Sequence, residues 1–119
     1  MMKRGFLQAV FARHAARKQM KIRDNYPALS NLIGAYLNQD YSIYADTIEG
    51  VIDCFLSDSN HAEKVALRHD IARFLQNERN GYDASFAGAY SFDFDPKLWG
   101  LTTETFLRQL DAQVAAALH

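Results

Sequence analysis

The spacing of apolar residues constrains the fold of this chain most, because it repeats the period of an α-helix in separate segments. The first segment follows Pro27, a residue suited to the first turn of a helix because its missing N–H would have no partner there. Apolar side chains then recur three and four positions apart, at Leu29, Leu32, Ile33, Tyr36 and Leu37. This spacing predicts a helix with one buried face, ending near Asn38.

Two further helices are predicted from start signals followed by the same spacing. Asp46, or Thr47 itself, is a suitable cap for a second helix. Its apolar face comprises Ile48, Val51, Ile52, Phe55 and Leu56. A third helix is predicted over residues 61–79, and Gly81 follows it as a natural stop because glycine adopts the left-handed conformation without strain.

The segment after residue 81 is more ambiguous. Aromatic and small residues alternate with other types at Phe86, Gly88, Tyr90, Phe92 and Phe94. This alternation predicts a short extended segment near residues 84–95, while the alanine-rich stretch 84–89 fits one or two helical turns equally well. A last helix is predicted to begin at Thr102 or Thr103 and to run to the end of the chain. The predicted fold class is mainly α: one small helical domain of about four to five helices.

Length and composition exclude several classes of protein. The chain has 119 residues, which fits one domain. A single cysteine, Cys54, excludes an intramolecular disulfide framework and a cysteine-rich zinc site. No apolar run approaches the ~18 residues of a membrane span. Composition therefore predicts a soluble globular protein of a reducing compartment, without membrane insertion.

Charge is divided sharply along the chain. Residues 1–23 contain seven Lys and Arg and no acid, whereas residues 24–119 contain six Lys and Arg against all 14 acids, a net charge of −8. Residues 24–63 contain seven acids and no Lys or Arg. We therefore predict a basic amphipathic N-terminal helix over 1–23 and a helical domain over 24–119. Because an acidic body repels phosphates, that domain is not expected to bind nucleic acid.

The sequence contains no clear catalytic signature. A phosphate-binding glycine loop, a His-Glu-x-x-His motif and a nucleophile elbow are all missing from it. The dipeptide His69-Asp70, with His61, resembles part of a metal-dependent phosphohydrolase site, but the two histidines lie eight residues apart on one predicted helix and cannot share a metal. We predict no enzymatic activity, no catalytic residue, no metal ligand and no cofactor.

A pattern of short motifs runs through residues 26–58 and comprises Tyr26-Pro27-Ala28-Leu29, Gly34, Tyr36-Leu37-Asn38-Gln39-Asp40-Tyr41, Asp46-Thr47, Val51-Ile52 and Phe55-Leu56. This pattern resembles a bacterial family, the immunity proteins of contact-dependent growth inhibition (the CdiI family). Asn38 stands where histidine is common in the family, Tyr41 where tryptophan is common, and Ile48 where proline is frequent. The resemblance implies a small cytoplasmic bacterial protein that binds and neutralises the C-terminal toxin domain of a cognate CdiA effector. Such toxins are frequently nucleases.

The charge map agrees with that implication, because carboxylates are complementary to a basic nuclease site and speed the encounter. Asp46, Glu49 and Asp53 are spaced three and four apart, which predicts one side of the second helix. The predicted partner-binding residues are Asp40, Tyr41, Tyr44, Asp46, Glu49 and Asp53, with Asp93 and Asp95 as second choices. The structural alternative is that Tyr41 and Tyr44 close the end of the core and that the carboxylates only solubilise the surface.

The basic segment 1–23 leaves a second function open. It has the composition of a helix that contacts RNA or an anionic membrane. The alternative function is therefore a helical adaptor that acts through this segment and not through the acidic body.

Overall fold

The computed structural model describes residues 22–118. The basic helix predicted for residues 1–23 lies outside this range, apart from its last two residues. The described part contains five complete α-helices: α1 (Pro27–Ala35), α2 (Ile48–Asp58), α3 (His61–Asn77), α4 (Tyr82–Tyr90) and α5 (Thr103–Ala117). Short 3₁₀ helices occupy Tyr41–Ile43 and Pro96–Trp99. Residues 22–118 include no β-strand, so the predicted mainly α fold class is confirmed.

The helix starts follow from side-chain caps. The Thr47 hydroxyl accepts a hydrogen bond from the Gly50 N–H at 3.0 Å, so Thr47 and not Asp46 caps α2. Asn60 and Glu63 form a capping box at the start of α3. Thr102 caps α5 in the same way. Each cap satisfies backbone N–H groups that have no partner within the first helical turn.

The extended segment predicted near residues 84–95 is wrong, since α4 covers Tyr82–Tyr90 and residues 91–93 form a turn. The alternation of aromatic residues was misleading because Phe86 and Tyr90 are also four positions apart, which places them on one helical face. Both are buried, whereas Phe92 is 88% exposed. The helical interpretation of the alanine-rich stretch is the correct one.

The core forms where the five helices meet, with α3 packed against α1 and α5, and α4 against α5 and α1. Its centre is aromatic: Phe86 lies at 6.1 Å from Phe74 and at 6.0 Å from Phe106, measured between ring centroids. The largest fully buried side chains are Tyr26, Tyr90, Phe74, Phe86, Phe106, Leu29, Leu32, Ile33, Leu37, Leu67, Ile71 and Leu107. This core accounts for the helical spacing found in the sequence.

One buried charge joins two of these helices. The Asp70 carboxylate on α3, 5% exposed, accepts hydrogen bonds from the backbone N–H groups of Ala28 at 2.7 Å and Leu29 at 3.1 Å. Its other oxygen accepts from Arg73 at 3.2 Å. Asp70 therefore caps α1 from a neighbouring helix. The residue at the cap position of α1, Tyr26, supplies no side-chain acceptor of its own.

The last residues of the predicted N-terminal segment belong to the packed body. Ile22 is buried in the core. Arg23 donates to the Ala89 carbonyl at 2.9 Å, pairs with Asp93 at 3.4 Å and places its guanidinium 5.4 Å from the centroid of the Tyr90 ring. Any truncation of the basic segment should accordingly stop at residue 21. Across residues 22–118, the helices are too short or too polar to cross a membrane.

Candidate partner-binding surface

Two connections between helices come together at one end of the domain. Residues 36–47 link α1 to α2, and residues 91–102 link α4 to α5. The Gln39 side chain donates to the Phe92 carbonyl at 3.2 Å, and the Tyr41 ring meets the Trp99 ring edge-on at 5.1 Å. These contacts make one continuous surface of the two connections, which we call the two-loop surface.

The two-loop surface carries the large hydrophobic side chains that the described part of the protein leaves exposed. They are Ile43 (75% exposed), Tyr44 (38%), Phe92 (88%), Leu98 (82%) and Trp99 (37%). Single exposed apolar residues are ordinary, but a concentration of them on one surface is typical of a protein-interaction site. Tryptophan and tyrosine add rigid contact area of the kind enriched in such interfaces.

The same surface carries four carboxylates, two without a partner among the described residues and two that bond to neighbouring groups. Asp40 and Asp46 are exposed, and their side chains make no hydrogen bond or ion pair within residues 22–118. Asp93 is paired with Arg23, and the Asp95 carboxylate accepts from the Lys97 N–H at 3.0 Å as a cap. Asp40 and Asp46 thus present their charge outward, whereas Asp93 and Asp95 also serve local structure.

Two tyrosines of the first connection, Tyr36 and Tyr44, are held in place by ring packing and a hydrogen bond. Tyr44 packs on Tyr36, with ring centroids 4.7 Å apart, and the Tyr36 hydroxyl donates to the Asp58 carboxylate at 2.8 Å. This hydrogen bond, together with burial, raises the pKa of Tyr36 to about 12 from an ordinary value of 10.0. The first connection is therefore anchored to the last turn of α2.

This anchoring predicts a loss of stability at alkaline pH. Because the pKa of Tyr36 is raised in the folded state, its contribution is complete below pH 10 and is lost as pH rises towards about 12. Chemical unfolding across this range should show a smaller decline for Tyr36→Phe than for the wild-type protein. Tyr26 and Tyr90, whose pKa values are also raised by burial, continue to contribute in the variant. An identical decline in both proteins would contradict the assignment to Tyr36.

A groove of about 760 Å³ continues from this surface between α2 and α5. Glu49 and Asp53 line one side, and Trp99 lines it from the second connection. The Gln113 amide on α5 donates to the Asp53 carboxylate at 2.7 Å and to the Glu49 carbonyl at 2.9 Å. The structure therefore brings Glu49 and Asp53 to one groove, while Asp46 stands one residue before the α2 cap.

Sequence reasoning missed part of this surface. It named Asp93 and Asp95 but not the neighbouring Phe92, Leu98 and Trp99. The sequence contains a signal for it, since Trp99 is the one tryptophan of the chain and stands three residues after Pro96. The left-handed backbone of Gly100, with φ of 75°, ends the 3₁₀ helix directly after it, a conformation that favours glycine.

The residues of the phosphohydrolase alternative are not assembled into a site. Asp70 is buried as a helix cap, whereas His61 and His69 are exposed on α3. Within residues 22–118, no three His, Cys, Asp or Glu side chains cluster as metal ligands. The arrangement at the two-loop surface has the composition of a protein-binding site.

Comparison with known proteins identifies a family. The family described as CdiI immunity protein matches residues 25–114, which cover α1 to most of α5 and both connections of the two-loop surface. No curated protein and no solved structure matches the chain.

Proposed function

The chain belongs to the CdiI immunity protein family, and from this premise we propose that it binds and neutralises the C-terminal toxin domain of a cognate CdiA effector through the two-loop surface. The observation that carries the proposal is the coincidence of exposed apolar side chains with outward-facing carboxylates on that surface. The apolar residues supply buried contact area, and the carboxylates supply steering and specificity.

The charge of the two-loop surface and of the adjoining groove supports a basic toxin site as the target. Asp40, Asp46, Glu49 and Asp53 belong to residues 24–63, a stretch with no Lys or Arg. An enzyme that cuts nucleic acid presents cations to phosphates, and carboxylates can occupy the same positions. We therefore propose a nuclease as the toxin and inhibition by binding, without catalysis or cofactor, in the bacterial cytoplasm.

Co-expression with the neighbouring toxin gene tests this function. The C-terminal ~250–300 residues encoded immediately upstream, a span of one or two domains, should arrest growth when expressed alone. Expression together with this protein should restore growth, and the two proteins should co-purify. Lack of toxicity, or toxicity without rescue or co-purification, would refute the proposal.

A deletion of the basic segment distinguishes the adaptor alternative from the proposed function. A variant lacking residues 1–21 keeps Ile22 and Arg23 and therefore keeps the contacts of these two residues with the body. We expect this variant to protect cells as well as the full chain does, because the proposed surface lies wholly within residues 36–102. Loss of protection by a folded deletion variant would transfer the function to the basic segment.

A further inference from the structure

We infer that the groove between α2 and α5 receives an arginine-bearing segment of the toxin and thereby selects the cognate partner. The inference rests on the proposed function and adds to it the chemistry of the group that is recognised. Three features of the groove support this occupant: the sign of its charges, the position of an aromatic ring and the apolar character of its floor.

The charged residues that line the groove are both acidic. Glu49 and Asp53 stand one helical turn apart on α2, and the remaining lining residues carry no formal charge. The Gln113 amide holds one oxygen of Asp53 in place. The other Asp53 oxygen and the Glu49 carboxylate have no partner within residues 22–118. Among residues 22–118, the groove therefore presents negative charge with no cation in its lining.

The aromatic wall and the floor favour arginine over lysine. Trp99 lines the groove and is held edge-on against Tyr41, so its indole is both positioned and partly exposed. A planar guanidinium stacks on an indole and is more weakly hydrated than an ammonium group, so it is the better cation for this position. Ile48 and Leu101, which are only partly buried, form the accessible apolar lining against which the methylene stem of an arginine packs.

The volume of the groove indicates that it accommodates more of the toxin than a single side chain. At about 760 Å³, it lies within the range of ligand-binding clefts, and it is continuous with the two-loop surface through Trp99. An arginine with its flanking residues therefore fits the groove while the rest of the toxin covers the exposed apolar side chains. Specificity arises because a toxin without the arginine leaves these carboxylates desolvated and unpaired.

Affinity measurements on the full-length protein and its purified toxin domain test the inference. We expect Glu49→Gln with Asp53→Asn to weaken binding about 30-fold, in line with breaking a desolvated charge pair. Trp99→Ala should weaken binding by about the same factor, and Trp99→Phe by less. The matched control is Glu104→Gln with Asp111→Asn, which neutralises two acids that pair with Arg108 and Arg68 away from the groove. The control should bind within about threefold of wild type, and thermal unfolding should show that all variants fold.

The identity of the occupant is tested from both sides of the interface. Since the protein has one tryptophan, 5-fluorotryptophan labelling gives a single fluorine resonance, which should shift when unlabelled toxin is added. One toxin arginine should show energetic coupling to Asp53→Asn in a double-mutant cycle, and its replacement by lysine should weaken binding.

The possible failures are distinguishable. The first failure is that the Glu49/Asp53 variant and Trp99→Ala bind the toxin as tightly as the wild-type protein does and that the fluorine resonance does not shift. This result would overturn the groove assignment and leave the proposed function standing. Coupling to a toxin lysine instead would overturn the choice of arginine. No binding by the wild-type protein would overturn the proposed function and this inference with it.

Discussion

Replacing Asp70 with alanine is expected to lower the free energy of unfolding by about 3 kcal/mol, the largest stability effect we predict for a single side chain. The carboxylate is buried and accepts hydrogen bonds from the first turn of α1 and from Arg73. Alanine removes this acceptor and leaves two backbone N–H groups without a partner where water has little access. Urea unfolding followed by circular dichroism measures the loss.

Asp111→Ala is the matched control for this prediction. Asp111 also lies on an α-helix and also bonds an arginine, Arg68 at 2.9 Å, but both side chains of that pair are partly exposed. The same change in helix propensity is therefore made without removing a buried cap, and we expect a loss below about 1 kcal/mol. Asp70→Asn, which retains one acceptor oxygen, should lie between the two. Equal losses for Asp70→Ala and Asp111→Ala would contradict the capping role.

Reversing the charge of Asp46 and Glu49 together is expected to produce the largest loss of toxin affinity, about 100-fold for Asp46→Lys with Glu49→Lys. Both residues are exposed, so the substitutions leave the core intact. Each replaces a carboxylate that attracts a basic partner with a cation that repels it. Kinetic binding measurements should show slower association, and the remaining affinity should depend less on salt than that of wild type, because screening acts on the attraction that has been removed.

A second double variant separates local from overall charge. Glu104→Lys with Asp111→Lys changes the net charge by the same amount on α5, where the two acids pair with Arg108 and Arg68. Provided that it folds, this variant should retain affinity within about fivefold of wild type. If both double variants lose affinity equally, binding responds only to net charge, and the two-loop surface is not the site of contact.

Most of the fold could be predicted because its signals are local. Helical spacing located α1, α2, α3 and α5, since an amphipathic helix repeats its apolar residues at the helical period regardless of what it packs against. Caps located their starts for the same reason: Thr47 and Thr102 bond N–H groups only three residues away. The extended segment predicted near residues 84–95 is wrong because the spacing of its aromatic residues matches both the strand period and the helix period. Burial of Phe86 and Tyr90 on the same side settles α4, and burial is not a local property.

The candidate surface also has a part that the sequence predicts and a part that it does not. The acid-only stretch 24–63 is visible in the sequence, and the candidates Asp40, Asp46, Glu49 and Asp53 were chosen from it. Tertiary packing alone brings Trp99 to Tyr41, Phe92 to Gln39 and Gln113 to Asp53, across separations of about 53 to 60 residues. It also makes Asp70 the cap of a distant helix, although in the sequence the dipeptide His69-Asp70 resembles part of a metal-dependent phosphohydrolase site. Charge and period are encoded along the chain, whereas a binding surface consists of segments that become neighbours only when the core forms.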